Sequence, residues 1–268
     1  MSQAYGRALE EARKELFASV PSVVGLSAGV AWSVDSSDAA GTANGEVAGA
    51  GATGSFRVPF MDLELTVSFP GGVVLLDGRE AHVDVTVVAV HYLARSVGPL
   101  QLTDAVRYMG LDGASAFAAA FRSRVEVPLI RRFGEDPDAF VAAAARLGGS
   151  EAGGGRWSIP FLPHLPLGVS MGFVEDDLPA ECVILFPRRA GYVYPVEDLA
   201  VAGQLMAMHL LACADERTGS RHAVSALLAW AGDAGPGGES AGGTGDPVTG
   251  NRHDTADDLG AAGPSGLP

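Results

Sequence analysis

FRSRVEVPLIRRFGEDPDAF, residues Phe121 to Phe140, carries both folding instructions and the densest run of arginine in the chain. At about 100° per residue, Phe117, Phe121, Val125 and Leu129 form one apolar helical stripe, and Arg124 flanks it. Arg122 and Glu126 lie one turn apart and can pair. Pro128 has no amide hydrogen to donate, so the helix must kink there or stop and restart. Gly134 suits a left-handed helix stop, and Asp136 followed by Pro137 suits the start of the next helix. The stretch therefore predicts a helical hairpin in the middle of the chain. Arg132 then lies close to the apolar stripe of the second segment. A guanidinium so placed keeps its charge and needs a carboxylate partner or an anionic ligand.

Working outward, Ser2 can cap a first helix to about Ser19, with Leu9, Ala12, Leu16 and Phe17 on one face. From Val23 the runs VVGLSAGVAWSV, EVAGAGA, SFRVPF and LELTVSF are short, β-branched or aromatic, and cut by Gly, Ser and Asp. They read as an antiparallel meander, interrupted by a small-residue loop at about 35–45. The stretch His82 to Ser96 satisfies both a strand and a helix pattern, and its length selects helix. Helices are expected at Thr103 to Met109, Ala114 to Phe133 and Pro137 to Leu147. Strands follow at RWSIPFL, PLGVSMGFV and AECVILF. A long C-terminal helix is expected from Val196 to about Asp215, with a shorter one at His222 to Trp230. Strands, helices, strands and a helix imply an α+β fold, antiparallel strands packed against several helices, in a single domain over residues 1–231. Residues 232–268 hold six acids, one arginine and many Gly and Pro, the composition of a disordered acidic tail.

The 268 residues, 47% hydrophobic, suffice for a sizeable core. A net charge of -14 argues against nucleic acid or an anionic membrane as partner, because both require clustered positive charge. Two cysteines, Cys182 and Cys213, give neither a disulfide framework nor a cluster site. The N-terminal segment lacks the apolar core of a secretory signal, so a cytoplasmic protein is expected.

Several motifs have the residue types of a chemical site. GAGATG at 49–54 matches a dinucleotide-binding pattern, yet that pattern works only between a strand and a helix, and a strand follows here. His209 and Cys213, four apart, could supply two zinc ligands of the usual four, which leaves the metal set as none. Glu175, Asp176 and Asp177 form an acidic turn that reads as solvated. No hydrolase elbow, zinc-protease helix or phosphate loop occurs, so no catalytic residue is assigned and the cofactor stays unknown.

HYL at 91–93, FRSRVE at 121–126, RRFGEDPDAF at 131–140, LGG at 147–149, LPHLPL at 162–167, EDDLPAE at 175–181, ILF at 184–186 and YPVEDLAV at 194–201 resemble a known family. It is the uncharacterised bacterial and archaeal family called domain of unknown function 3786, and the resemblance spans about residues 61–211. It implies a link to anaerobic lineages, some of whose members carry an added four-iron cluster module near corrinoid and one-carbon metabolism. This chain lacks that cysteine-rich module. It also departs from the family between Gly98 and Ser115 and at Pro187, and no catalytic residue of the family is available to carry over.

Two functions follow as expectations. The first is a binding or accessory module in which His91, Arg122, Arg124 and Arg132 hold an anionic small molecule or an acidic protein partner. The second is an enzyme with His91 as acid or base and an arginine anchoring an anionic substrate.

Overall fold

A computed structural model describes residues 3–35, 53–175 and 178–214. The Ser2 cap, the expected loop at about 35–45, the EVAGAGA run, the helix at 222–230 and the acidic tail lie outside the described residues, apart from Asp35.

The chain is α+β. It opens with α1 (Gln3–Phe17), which buries Ala12 and Leu16 against α3 (Val83–Arg95). The first half of the expected strand from Val23 is instead a helix, α2 (Pro21–Ala28). Pro21 starts it at a position where no amide donor is needed, and Gly29, at φ 66°, ends it in the left-handed region. Those end signals outweigh the β-branched content between them. A second reason for glycine at 29 is a close approach, since a Cβ there would sit 2.6 Å from the His164 Nε2.

Five antiparallel strands then form the first sheet in sequence order: β1 (Ala31–Val34), β2 (Gly54–Phe60), β3 (Leu63–Phe69), β4 (Val74–Leu76) and β5 (Arg79–Glu80). In β2 the inward residues Phe56, Val58 and Phe60 alternate with exposed Arg57 and Pro59, the pattern of a half-buried strand. Helix α3 packs on this sheet at β4 and against α1 and α2. Its residues Val85 to Leu93 are buried without a break, which is why its sequence fits two periods equally well.

The second antiparallel sheet has the order β6-β10-β9-β8-β7, comprising β6 (Val106–Arg107), β7 (Ser150–Gly153), β8 (Arg156–Leu162), β9 (Leu165–Gly172) and β10 (Glu181–Phe186). The helix expected at Thr103 to Met109 is thus β6 followed by a 3-10 turn at Tyr108–Gly110. That segment pairs only with Leu185 and Phe186 of β10.

The opening stretch forms α4 (Ala118–Phe121), a π-helical segment at Arg122–Glu126, α5 (Val127–Phe133) and α6 (Pro137–Arg146). The irregularity anticipated from Pro128 is therefore taken up one turn earlier, as a π bulge. Asp136 caps α6 by accepting from the Ala139 N–H at 3.0 Å, as expected. Gly134 does not adopt the left-handed stop: its φ is -58°. Glycine is required there by proximity, because a Cβ would lie 2.7 Å from the Ala180 Cβ.

After α7 (Ala190–Val193), helix α8 (Val196–Ala214) runs against α3, α5, α6 and the π-helical segment. Among the described residues it is the one helix long and apolar enough to cross a membrane by length and composition. Here it is buried at the centre of the core, through Leu199, Leu205, Met206 and Leu210 among others.

Candidate functional site

A cavity of about 720 Å³ opens where the second sheet is incomplete. Because β6 covers only the last two residues of β10, the edge of Glu181 to Ile184 opposite β9 has no strand beside it among the described residues. The cavity fills that gap, with Glu181, Cys182 and Val183 on one side and the π-helical segment on the other. Tyr108 and Phe121, stacked at 4.2 Å between centroids, contribute an apolar wall. Two guanidinium-bearing residues line the same space, Arg107 from the end of β6 and Arg122 from the start of the π-helical segment.

Among the described residues neither Arg107 nor Arg122 is ion-paired to a carboxylate. Glu126 lies in the same cavity, half-buried, and feels both arginines through space. Burial pushes its carboxyl above the usual range, while the Ile184 N–H, Arg122 and Arg107 oppose that shift without cancelling it. Burial also pushes the Cys182 thiol up, with the Glu126 charge adding to it, so Cys182 is a neutral wall residue rather than an activated nucleophile.

Of the four residues anticipated as a binding set, the structure places only Arg122 in this cavity. Arg124 is exposed on the π-helical segment. Arg132 stands over the Phe133 ring at 5.3 Å, donates to the Ala214 carbonyl at 3.2 Å and approaches Asp136 at 3.5 Å. Its charge is thereby satisfied by the C-terminal end of α8 and by a helix cap.

His91 lies elsewhere, 3% exposed on α3, with Nδ1 2.5 Å from the Asp198 Oδ2 at the start of α8. The arginine that acts on this pair is Arg95, one turn along α3, which makes two hydrogen bonds to Glu15 of α1 at 2.7 and 2.6 Å. These four residues fasten α1, α3 and α8 together. Sequence reading missed Asp198 as the partner of His91, Arg95 as the arginine that acts on Asp198, and Arg107 and Cys182 as neighbours of Arg122. His91 and Asp198 are 107 residues apart in the chain, and Arg107 and Arg122 are 15 apart, beyond the reach of local spacing.

The remaining candidates resolve as structure. His209 is fully buried, edge-on to Phe60 at 5.6 Å, with Nδ1 3.5 Å from the Asp62 Oδ1 and no hydrogen bond to either ring nitrogen. That separation is within ion-pair reach and beyond good hydrogen-bond geometry. Burial raises the Cys213 thiol, with Asp62 adding to it. Among the described residues no group of three His, Cys, Asp or Glu side chains could hold a metal ion. Gly54 of the GAGATG run opens strand β2, so the helix that a dinucleotide site requires does not follow it. Asp176 and Asp177 of the acidic turn lie outside the described residues.

No curated protein and no solved structure matches the chain. Residues 35–209, more than half of its length, match the family described as Domain of unknown function (DUF3786), and the chain belongs to that family.

Proposed function

We propose that the protein is a binding module for a small molecule bearing an oxyanion, carboxylate or phosphate, held in the cavity between the π-helical segment and the open edge of β10. The observation that carries this reading is the convergence of Arg107 and Arg122, from two separate elements, on one cavity with no ion-paired carboxylate among the described residues. Guanidinium groups offer a fixed fork of donors suited to oxyanions, and the Tyr108 and Phe121 wall suits an apolar body on the same ligand. The family resemblance adds an accessory role near corrinoid or iron–sulfur metabolism, which places carboxylated tetrapyrroles among the ligands to test.

Thermal unfolding of the full chain in the presence of phosphate, succinate, benzoate, phenyl phosphate and a carboxylated tetrapyrrole provides the test. At least one should raise the midpoint, since a ligand that binds only the folded state stabilises it by mass action. Arg107→Ala and Arg122→Ala should each weaken that ligand by about ten- to a hundredfold, the worth of one charged hydrogen-bonding group of about 1.5–3 kcal/mol. A midpoint that no compound moves would remove the reading.

A further inference from the structure

The positive charge of this cavity is opposed from within. Glu126 shares the cavity with Arg122 on its own π-helical segment and with Arg107 on β6, and its carboxyl accepts the Ile184 N–H of β10. The other titratable groups that β10 presents to the cavity are Glu181 and Cys182. Of the remaining elements packed on the segment, α4 has no titratable side chain, and Arg132 of α5 is occupied by Asp136 and the Ala214 carbonyl. Arg131 of α5 is exposed, and from α8 no charged group acts on Glu126. Glu126 is the half-buried carboxyl of the cavity on which both arginines act, whereas Glu181 is exposed.

Resting on the cavity's reading as an oxyanion site, we propose that Glu126 is its specificity-determining competitor: ionised, it occupies the field of Arg107 and Arg122, and protonated, it releases both to an entering oxyanion. Binding then consumes one proton from solvent, which ends on the Glu126 carboxyl. The anion and the Glu126 charge exclude each other because two like charges in a partly buried space raise one another's cost. Burial raises the cost of the ionised carboxyl, which acts in the same direction as the exchange. The ligand selected is an oxyanion that keeps its full charge where Glu126 has lost its own. The π bulge at Arg122–Glu126, a distortion found frequently at functional sites, places both residues on this wall.

Sulfate serves as the probe, since it stays dianionic throughout the accessible pH range. Its affinity for the full chain is measured by amide chemical shifts between about pH 5 and 8, for the native protein, Glu126→Gln and Arg107→Ala. In the native protein the affinity should fall by up to about tenfold per pH unit above the Glu126 titration, the slope of a single linked proton. Glu126→Gln should bind sulfate with no such slope and at least about tenfold tighter than the native protein at the upper end. Arg107→Ala should bind weakly at every pH. Sulfate binding that is flat with pH in the native protein, or that keeps its slope in Glu126→Gln, overturns the role of Glu126 and leaves the cavity reading standing. No sulfate binding by any of the three proteins overturns the role of Glu126, and the cavity reading then falls only if the thermal-unfolding series is also unresponsive. A second readout, independent of substitution, is the carbon-13 titration of the Glu126 carboxyl. Sulfate should shift it to higher pH, and an unmoved titration in the presence of bound sulfate overturns the proposal.

Discussion

Glu15 and Glu126 are both glutamates beside arginine, and the fold moves their carboxyls in opposite directions. Arg95 holds Glu15 below the usual range chiefly through hydrogen bonds, whereas burial drives Glu126 above it. A depressed carboxyl contributes stability above its unfolded value and loses that contribution as pH falls through its folded value. Glu15→Gln should therefore lower the unfolding free energy by about 0.5–1 kcal/mol at neutral pH, a modest figure because both partners are substantially exposed. The difference should vanish in acid, and urea unfolding from about pH 3 to 7 checks it. For Glu126 the sign reverses: the folded state holds the proton longer, so stability declines as pH rises from the unfolded value through the folded one. Glu126→Gln should accordingly gain on the native protein as pH rises. At this scale the sequence indicated that Arg132 needed a partner. It could not indicate which, since Arg132 is satisfied by a carbonyl 82 residues away.

Among the elements, the start of α6 was legible and the surroundings of the helices were not. Asp136 and Pro137 begin α6 as expected because capping is a local hydrogen-bond problem. Helix α2 was mistaken for strand because its apolar residues follow no single helical face, Val24 and Gly25 being buried while Val23 and Leu26 are exposed. Helix α8 shows how contact with neighbours overrides propensity. Alanine is favoured over glycine inside a helix by about 1 kcal/mol. At Gly203, however, a Cβ would lie 2.7 and 2.8 Å from ring carbons of Phe121, which also stacks on Tyr108 at the cavity wall. Gly203→Ala should destabilise the protein by about 1–3 kcal/mol, the usual cost of overpacking, despite the propensity gain. Thermal unfolding checks this, and a midpoint equal to or above the native one would show that the Phe121 ring can give way freely.

At the scale of the whole molecule, the two sheets meet through β2 and β8. The Met61 N–H donates to the Phe161 carbonyl at 3.2 Å, and the rings of Phe60 and Phe161 pack edge to face at 5.2 Å. The buried residues of both sheets belong to one hydrophobic cluster with α3 and α8. Residues 3–35, 53–175 and 178–214 should therefore unfold in one transition. Trp32 reports on the first sheet and Trp157 on the second, each observed in a protein whose other tryptophans are replaced by phenylalanine. Phe161→Ala should cost about 3–5 kcal/mol and move both fluorescence midpoints together. A shift seen by Trp157 alone would mean that the sheets unfold separately. The sequence by itself determined the α+β class, most strands, the capped start of α6 and the family, because alternation, capping and turn chemistry act over a few residues. Only the tertiary structure decided the site. The cavity exists because β6 stops short beside β10 and a π bulge brings Arg122 and Glu126 opposite that open edge, and both facts arise from pairing and packing between segments far apart in the chain.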